Sequence, residues 1–299
     1  MRRERGGVFM IFALCGGDAR TARLAELLLS DGSSVRAWAL EDAPLPRGAR
    51  RCDTAAECCA GADCAVLPLP AAAKRGFLYA PMSPGPRCPG EVFGSLAPGS
   101  LVCAGGVTAE LRGLASAAGV RLRDYAADEG FRAANSLATA EGALAVLLRE
   151  TEDVLCGKRA VIFGAGRITA ALAPRLRALG VDCAVCSRSR SKRAWYAAQG
   201  FAAPSPPELP EALSRADIAV NTAPGLVLTA ARLTELPAGA LVLDLASAPG
   251  GVDFEAARAF GIRCLTAPGL PGKYSPRSAA VFVKDAIYAI LEDERLGKN

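Results

Sequence analysis

Short apolar runs alternate with helical patterns along the whole chain. In the first half, the apolar run Phe9–Leu14 precedes a glycine turn and the segment Thr21–Leu29, whose leucines recur at helical spacing. Further apolar segments predict strands at Val35–Ala39, Cys64–Leu67, Leu101–Cys103 and Val120–Tyr125, with a helix at Thr108–Ala118. Strands that alternate with helices indicate a mostly parallel sheet.

A long helical pattern, Arg132–Glu150, opens the second half. Its apolar positions recur every three or four residues and predict one apolar face, made of Leu137, Ala140, Leu144, Leu147 and Leu148. Beyond Gly157, five strands are predicted at Ala160–Phe163, Cys183–Cys186, Ile218–Val220, Leu241–Leu243 and Ile262–Leu265, and a closing helix at Ser278–Leu296.

These patterns predict an α/β fold with two Rossmann-like parallel-sheet domains joined by a long helix. The first, a substrate domain, is predicted at residues 1–134 plus 275–299, because the C-terminal helix is expected to return to it. The second, a dinucleotide-binding domain, is predicted at residues 135–274. Two segments rich in proline and glycine, Pro68–Gly90 and Leu265–Ala280, are expected to lack regular helix or strand.

Composition narrows the class of protein. The 299 residues carry a formal charge of +5, but the basic residues are scattered, which argues against a nucleic-acid-binding stripe. No histidine is present, so proton transfer must use other side chains or water. The eleven cysteines lack the spacing of a zinc site and are interpreted as reduced thiols in small apolar roles, and no metal is expected.

The N-terminus has basic residues before an apolar run, as a secretory signal does. The run is short and no small-residue cleavage pattern follows it, so it is interpreted as the first buried strand. No apolar segment reaches transmembrane length, and we expect a cytoplasmic protein without membrane contact.

The segment V-I-F-G-A-G-R-I-T follows a predicted strand and opens a predicted helix. Gly164 and Gly166 occupy the first two glycine positions of the dinucleotide fingerprint, and Thr169 replaces the usual Gly or Ala at the third. Because strand, turn and helix have the required spacing, we predict that Gly164, Gly166, Arg167 and Ile168 approach a pyrophosphate at the helix N-terminus.

The next strand ends at Cys186 and is followed by Ser187 and Arg188 rather than by an acid. An acid here would bind the ribose 2′-hydroxyl of NAD, whereas a hydroxyl and a guanidinium suit a 2′-phosphate. NADP is therefore predicted in preference to NAD. Three later cations are interpreted as solvated surface charge, namely Arg190, Lys192 and Arg193.

Two more strand ends are expected at the same crevice, because ligands of open parallel sheets bind at the carboxyl ends of the strands. They are Asn221–Pro224 and Asp244–Gly251, and the segment Leu265–Ala280 is expected to overhang the nicotinamide. The cofactor-binding residues predicted there are Thr222, Ala223, Pro224, Ala246, Ser247 and Gly269.

At these segments the chain resembles the A subunit of dipicolinate synthase, a protein family found in spore-forming bacteria. The shared motifs are G-G-D-A-R (Gly16–Arg20), D-E-G-F-R-A-A-N-S-L-A-T-A-E-G (Asp128–Gly142), G-A-G-R-I-T (Gly164–Thr169), N-T-A-P (Asn221–Pro224), D-L-A-S-A-P-G-G-V-D-F (Asp244–Phe254) and A-P-G-L-P-G-K-Y-S-P-R-S-A (Ala267–Ala279). The chain departs from the family at Ala248 and Arg277, where lysines are usual.

The resemblance implies an oxidoreductase that acts during sporulation. Its expected reaction dehydrates and oxidises a hydroxylated tetrahydrodipicolinate to pyridine-2,6-dicarboxylate, with NADP⁺ as hydride acceptor. It also implies a smaller flavodoxin-like partner, the dipicolinate synthase B subunit, and we expect a homo-oligomer or a hetero-oligomer.

A small dicarboxylate substrate requires cationic ligands. Arg20 lies in a first helical turn, where the helix dipole disfavours a cation, so it is predicted to bind a carboxylate. Asp18 is predicted either to cap that helix or to contact substrate. Lys273 and Arg277, which lie in the Leu265–Ala280 segment, are predicted to bind a carboxylate of the substrate. The alternative is that this segment is a proline-rich hinge between the domains.

The long helix carries further polar candidates. Asn135 and Thr139 are four residues apart and are predicted to face the interdomain cleft. Glu141 lies on another face and is predicted to be either an acid/base or an interdomain salt-bridge partner. Together, the predicted catalytic residues are Glu141, Lys273 and Asn135, and the predicted substrate-binding residues are Asp18, Arg20, Thr139, Lys273 and Arg277.

Two other classes of protein share this pattern. The two-domain layout also resembles alanine dehydrogenases and adenosylhomocysteine hydrolases, which would make the chain a different NAD(P)-dependent enzyme. A non-catalytic, NADP-binding regulatory protein is the third possibility. Hydride transfer with a pyridine precursor would separate the first hypothesis from the third.

Overall fold

Within the residues that the computed structural model describes, 9–247 and 249–297, the strands form two separate parallel sheets. One unit consists of the chain up to Asn135 together with residues from Ser275 onward, and the other is Ser136–Tyr274. Residues 1–8, which hold the basic part of the signal-like N-terminus, and Ala248 lie outside the described residues. The predicted fold class of two Rossmann-like α/β domains is confirmed.

The first sheet has the strand order β3-β2-β1-β4-β5-β6. Its unit contains β1 (Ile11–Cys15), α1 (Ala19–Ser30), β2 (Ser34–Trp38), β3 (Arg50–Arg51), α2 (Ala55–Cys59), β4 (Cys64–Val66), α3 (Pro89–Phe93), β5 (Leu101–Ala104), α4 (Ala109–Ala117) and β6 (Arg121–Asp124). The helix α5 (Glu129–Glu150) starts in this unit and continues into the next. The order of the strands reverses direction between β1 and β4, which is where an open sheet of this type forms a crevice.

The second sheet has the strand order β11-β10-β9-β7-β8, and its order reverses between β7 and β9. Its unit contains β7 (Arg159–Phe163), α6 (Arg167–Ala178), β8 (Asp182–Cys186), α7 (Arg190–Ala198), α8 (Leu209–Ser214), β9 (Ile218–Asn221), α9 (Ala230–Leu233), β10 (Leu241–Asp244), α10 (Phe254–Ala259), β11 (Arg263–Thr266) and α11 (Leu270–Tyr274). The final helix, α12 (Pro276–Leu296), belongs to the first unit.

The central strands of each sheet are buried on both faces, which explains their uninterrupted apolar runs. In β7, Ala160 and Ile162 pack into one core cluster, while Val161 and Phe163 pack into the other. Successive side chains of a strand point to opposite faces, so a strand covered on both sides must be apolar at every position. Polar groups are therefore excluded from the interior of the central strands and concentrate where those strands end.

The C-terminal helix packs on the first unit, as predicted. Ile287 of α12 is fully buried in the same core cluster as Leu28 of α1. At its far end, Glu294 accepts hydrogen bonds from the guanidinium groups of Arg121 and Arg123 on β6. Since the Glu294 side chain is only 13% exposed, these ion pairs are better shielded from solvent than a typical surface pair.

The prediction that Leu265–Ala280 lacks regular structure is wrong. The chain forms β11 to Thr266, the short helix α11, and the start of α12 at Pro276. Pro271 and Pro276 fall in the first turns of these helices, where the missing proline N–H would have no intrahelical acceptor. The prolines of this segment therefore start helices rather than break them.

Two other expectations need correction, the start of the first strand and the apolar face of α5. The first strand starts at Ile11, and Phe9 is 68% exposed. Two α5 leucines expected on the apolar face, Leu137 and Leu148, are 36% and 57% exposed. At 100° per residue these two leucines lie about 60–80° round the helix from buried Ala140, at the edge of the packed face.

Helix α11 packs closely against α5 within the second unit. A Cβ placed on Gly142 would lie 2.8 Å from Cβ of Leu270, which is itself buried. Arg149 of α5 donates a hydrogen bond from Nη1 to the hydroxyl of Tyr274 at 3.0 Å. The glycine of the T-A-E-G motif is thus explained by helix packing, because any side chain there would displace α11.

The eleven cysteines all carry free thiols, and eight are buried. Cys88 and Cys156 are exposed, one in each unit, and Cys264 is half-buried. Among the described residues, no group of three or more Cys, Asp or Glu side chains is placed to hold a metal ion. A helix long and apolar enough to cross a bilayer is likewise absent from residues 9–247 and 249–297.

Candidate functional site

The turn between β7 and α6 lies at the point where the second sheet reverses its strand order. Gly164 has φ +104°, a backbone conformation that favours glycine. A Cβ on this residue would lie 2.3 Å from Oγ1 of Thr222 and 3.0 Å from the backbone nitrogen of Ala223. The ends of β7 and β9 therefore approach too closely for any side chain at Gly164.

Gly166 has a different environment. Its φ is −99°, which other residues adopt, and a Cβ built there has no atom within 4 Å. It is the N-cap of α6, no described side chain caps that helix, and its first turn holds no acid. The positive end of the helix dipole thus faces open space at Gly166, where a pyrophosphate could approach. Packing does not explain why this residue is a glycine, whereas the close approach of a pyrophosphate does.

Thr169, the departure from the fingerprint, is fully buried and joins both strand ends. Its hydroxyl donates to the carbonyl oxygen of Gly164 at 2.9 Å and lies 2.9 Å from the hydroxyl of Thr222. The hydroxyl of Thr222 donates in turn to the carbonyl of Phe163 at 2.9 Å. The residue that replaces Gly or Ala therefore fixes α6 to the ends of β7 and β9.

A buried polar pair organises the next two strand ends. Asn221 and Asp244, the last residues of β9 and β10, are 0% and 2% exposed. The amide Nδ2 of Asn221 donates to Oδ1 of Asp244 at 2.9 Å, which joins the two strands through their side chains. Backbone N–H groups of Ala246 and Gly251 donate to the same carboxylate at 3.0 and 2.8 Å.

The glycines after β10 are explained by this pair. A Cβ on Gly251 would lie 2.0 Å from Nδ2 of Asn221, and one on Gly250 would lie 2.8 Å from Oδ2 of Asp244. The described residues on both sides of Ala248, namely Ala246 before it and Gly250 and Gly251 after it, are therefore packed or hydrogen-bonded against the Asp244 carboxylate and its partner Asn221.

The loop after β8 is held by Arg193, contrary to the interpretation of this residue as solvated charge. Arg193 is half-buried, and its Nη1 donates to the carbonyl oxygens of Ser187 at 2.6 Å and Arg188 at 3.2 Å. Arg188 itself is exposed, and its guanidinium makes no hydrogen bond or ion pair with any of the described residues.

The carboxyl edge of the second sheet gathers the predicted cofactor residues. Read across the sheet, Gly269 follows β11, Ala246 and Ser247 follow β10, and Thr222, Ala223 and Pro224 follow β9. The fingerprint residues Gly164, Gly166, Arg167 and Ile168 follow β7, and Ser187 and Arg188 follow β8. Their placement is that of a dinucleotide crevice, while the role of each residue stays a prediction.

The candidates on α5 are divided between the units, Asn135 in the first and Thr139 and Glu141 in the second. Thr139 is buried, whereas Glu141 is exposed. The carboxylate of Glu141 lies 3.5 Å from Nη2 of Arg175 on α6, so the ion pair that it makes joins two helices of one unit. The interdomain salt bridge is therefore not the contact observed.

Lys273 and Arg277 are both exposed, at the end of α11 and the start of α12. Gly269, just before α11, has φ +68°, but Gly272 is an interior residue of that helix, where its N–H donates to the carbonyl of Gly269. The N–H of Gly272 is therefore bonded within α11 and is not available to a ligand.

In the first unit, Asp18 and Arg20 form a close pair at the carboxyl end of β1. Asp18 is the N-cap of α1, and its Oδ1 accepts from the backbone N–H and Nε of Arg20 at 3.0 and 2.9 Å. Nη2 of Arg20 donates to Oδ2 of Asp18 at 2.8 Å and to the carbonyl of Leu69. Burial would lower the pKa of Arg20, but the hydrogen bond and charge of Asp18 raise it above its usual value.

The capping role of Asp18 is thus observed, and Arg20 is only 7% exposed. This pair lines a small cavity of about 20 Å³ with Thr21, Leu67 and Tyr125. The space is enough for about one water molecule. Binding of a substrate carboxylate by Arg20 stays a prediction.

Sequence reasoning missed Asn221, Asp244, Thr169 and Arg193 as organising residues. A signal existed for the first two, because each is a polar residue that ends a wholly apolar strand, where burial is expected. Arg193 offered no such signal, since it lies among several cations on one short helix.

Comparison with known proteins agrees with this architecture. Residues 11–126 match the family of dipicolinate synthase A-subunit N-terminal domains, and residues 138–249 match the NAD binding domain of D-isomer specific 2-hydroxyacid dehydrogenases. The A subunit of dipicolinate synthase from Bacillus subtilis (strain 168) is 33% identical over 159 residues, or 53% of this chain and 54% of that protein. That alignment spans about half the length of the relative.

Solved structures extend the likeness to nearly the whole chain. The A subunit of dipicolinate synthase from Bacillus halodurans superposes with a TM-score of 0.85 and 25% identity over 94% of this chain and 97% of that one. Its counterpart from Bacillus subtilis gives a TM-score of 0.83 and 26% identity over 97% and 98%. The resemblance to the dipicolinate synthase A subunit is confirmed, and the second unit carries a dehydrogenase-type nicotinamide-dinucleotide-binding domain.

Replacing Thr169 with Val, which keeps the shape and removes the hydroxyl, is expected to destabilise the second unit by about 1–3 kcal/mol, because buried acceptors lose their donor. Thr169→Ser is the matched control and should stay within about 0.5–1.5 kcal/mol of the original protein, the cost of one buried methyl group. Thermal and urea unfolding would measure both. Equal loss in the two variants would assign the effect to packing rather than to the hydroxyl.

Proposed function

We propose that this chain is an NADP-dependent oxidoreductase that works as the A subunit of a dipicolinate synthase. The observation that carries the proposal is the crevice of the second unit. There a helix N-terminus without a side-chain cap opens at Gly166, and Arg188, whose guanidinium has no partner among the described residues, follows the neighbouring strand. The likeness of the first unit to the N-terminal domain of dipicolinate synthase A subunits supports the choice of substrate.

The proposed reaction removes water from a hydroxylated tetrahydrodipicolinate and then two electrons and two protons from the resulting dihydropyridine. NADP⁺, when bound, accepts the hydride, and the remaining proton leaves to a base or to water. The product, pyridine-2,6-dicarboxylate, is aromatic, so its formation supplies driving force. The chain needs mainly to bind the two carboxylates, orient the ring and remove one proton.

Each group of residues has a proposed part in binding the cofactor. Gly164, Gly166 and the first N–H groups of α6, at Arg167 and Ile168, would hold the pyrophosphate. Ser187 and Arg188 would bind the 2′-phosphate, as a hydroxyl donor and a charge-assisted donor. The residues after β9, β10 and β11 would line the way to the nicotinamide, namely Thr222, Ala223, Pro224, Ala246, Ser247 and Gly269.

The substrate roles are proposed on charge and exposure. Lys273 and Arg277 are exposed cations without an observed acidic partner among the described residues, which leaves them available to a carboxylate. Glu141 has only a long contact to Arg175, at 3.5 Å, so its carboxylate is free to accept a proton. With no histidine in the chain, we assign acid/base chemistry to Glu141 and Lys273 and orientation of the substrate to Asn135, Thr139, Asp18 and Arg20.

The names of the relatives support a partner as well. An enzyme with a component designated A implies a component designated B, and we propose a hetero-oligomer of the two that acts in the cytoplasm during sporulation.

The direct test mixes the purified chain, with and without a dipicolinate synthase B subunit, with the hydroxylated tetrahydrodipicolinate and NADP⁺. We expect the ultraviolet absorbance of the pyridine product to rise together with that of reduced nicotinamide. Product without reduced cofactor would contradict the oxidoreductase proposal, and tight NADP⁺ binding without any product under both conditions would favour a regulatory role.

Arg188→Ala is expected to weaken binding of NADPH by about 1.5–3 kcal/mol, because a charge-assisted hydrogen bond to the 2′-phosphate is lost. Binding of NADH should be nearly unchanged. Titration of both cofactors by fluorescence would measure the difference, with exposed Arg190→Ala as the control of equal charge. Equal affinity of the original protein for the two cofactors would refute the NADP preference.

Lys273→Met is expected to raise the substrate KM about tenfold or more, since one charged hydrogen bond to a carboxylate is lost, while NADPH affinity holds. Lys158→Met is the control for loss of a lysine charge away from the crevice, because Lys158 precedes β7 at the opposite edge of the sheet, where it pairs with Asp153. Steady-state kinetics and cofactor titration would separate the two effects. A loss of cofactor affinity at unchanged KM would move Lys273 from the substrate to the cofactor.

A further inference from the structure

Arg193 bridges the two residues that are proposed to bind the 2′-phosphate. It lies in the first turn of α7, and its Nη1 donates to the carbonyl of Ser187 at 2.6 Å and to that of Arg188 at 3.2 Å. Both acceptors precede the helix, so one guanidinium group ties α7 back onto the end of β8. Both hydrogen bonds come from one nitrogen, Nη1, whose two protons are sufficient for the two acceptors.

The rest of the loop is fixed by its own hydroxyl groups. The backbone N–H of Ser189 donates to Oγ of Ser187 at 3.2 Å, and Oγ of Ser189 caps α7 by accepting from the N–H of Lys192 at 3.3 Å. Oγ of Ser187 acts there as an acceptor, so its own proton is still available to a ligand oxygen. The carbonyls of Ser187 and Arg188 and the hydroxyl of Ser187 therefore all take part in hydrogen bonds within the loop, while the side chain of Arg188 is exposed.

The position of Arg193 runs against the intrinsic preference of a helix. The first turn of α7 holds no acid, and a cation near the positive end of the dipole is unfavourable. Cys186, the last residue of β8, lies near the same charge. Burial raises the pKa of that thiol to about 12, while the nearby guanidinium groups of Arg232 and Arg193 act in the opposite direction. A cation is therefore kept at the end of β8 at some cost to α7.

We propose that Arg193 is a positioning residue for cofactor selection: it holds the Ser187–Arg188 backbone so that Ser187 and Arg188 point at a 2′-phosphate that Arg193 itself does not touch. Its two observed acceptors are backbone carbonyls of the loop, and both accept from Nη1. The proposal rests on the proposed NADP preference and adds to it the reason why an exposed arginine is held ready for the ligand.

The test compares binding of NADPH and NADH to the full chain and to Arg193→Ala, Arg193→Lys, Arg188→Ala and the double variant, with Arg190→Ala as control. We expect Arg193→Ala to weaken NADPH binding roughly three- to tenfold, the scale of one net hydrogen bond, and to leave NADH binding unchanged. Arg193→Lys should lie between. In the Arg188→Ala background the same change should have a clearly smaller effect, because Ser187 is then the only phosphate ligand that Arg193 still positions.

Additive losses in the double variant would show that Arg193 contacts the phosphate directly, and equal losses for NADPH and NADH would show general loosening. Either result overturns the proposal.

A second measurement does not depend on which cofactor is preferred. Hydrogen exchange of the backbone amides of residues 187–190 in the ligand-free protein should quicken in Arg193→Ala and not in Arg190→Ala. If the original protein binds both cofactors equally, the NADP preference fails, and faster exchange would still uphold the positioning role. Unchanged exchange would overturn that role whatever the cofactor.

Discussion

A carboxylate that is almost wholly removed from water must find all its hydrogen bonds within the protein, and in the second unit this constraint falls on Asp244. Its oxygens accept from Asn221 and from two backbone N–H groups of the loop that follows β10. Asn221 in turn accepts from the N–H of Ala223 and donates to its carbonyl. The Asp244 side chain therefore fixes the loops that follow β9 and β10 at the centre of the carboxyl edge, and these loops determine the shape of the crevice.

Each sheet has a crevice where its strand order reverses, and the two crevices differ in what occupies them. At the end of β1 the first unit fills it with its own ion pair, Asp18 with Arg20, so the charges there satisfy each other. At the end of β7 the second unit leaves the helix N-terminus without a cap from any described side chain, and the space beside Gly166 is open. The two charges of the first unit already pair with each other, whereas the open end of α6 leaves helix N–H groups in need of an acceptor. The difference explains why we place the dinucleotide in the second unit.

Most of the strands could be predicted because burial on both faces demands unbroken apolar runs, as in Ile218–Asn221. The short helix α11 could not be predicted, because proline and glycine usually indicate irregular backbone. Pro271 is compatible with a helix only because it lies in the first turn, and the sequence does not show where that turn begins. The glycine fingerprint was visible, since it depends on local spacing. The role of Arg193 was not, because one cation among several is singled out only by the two carbonyls it reaches in the folded chain. Contacts between residues distant in sequence likewise hid the reason for Gly142, which packs directly against Leu270.

The distribution of the thiols has a practical consequence for spectroscopy. Eight of the eleven are buried, and burial raises the pKa of half-buried Cys264 to about 11, which keeps it in the unreactive thiol form near neutral pH. The two exposed thiols, Cys88 and Cys156, belong to different units. The unmodified sequence therefore offers one attachment point for a fluorophore or spin label on each unit. The distance between the units in solution, and its change when a dinucleotide is added, can be followed without introducing or removing a single cysteine.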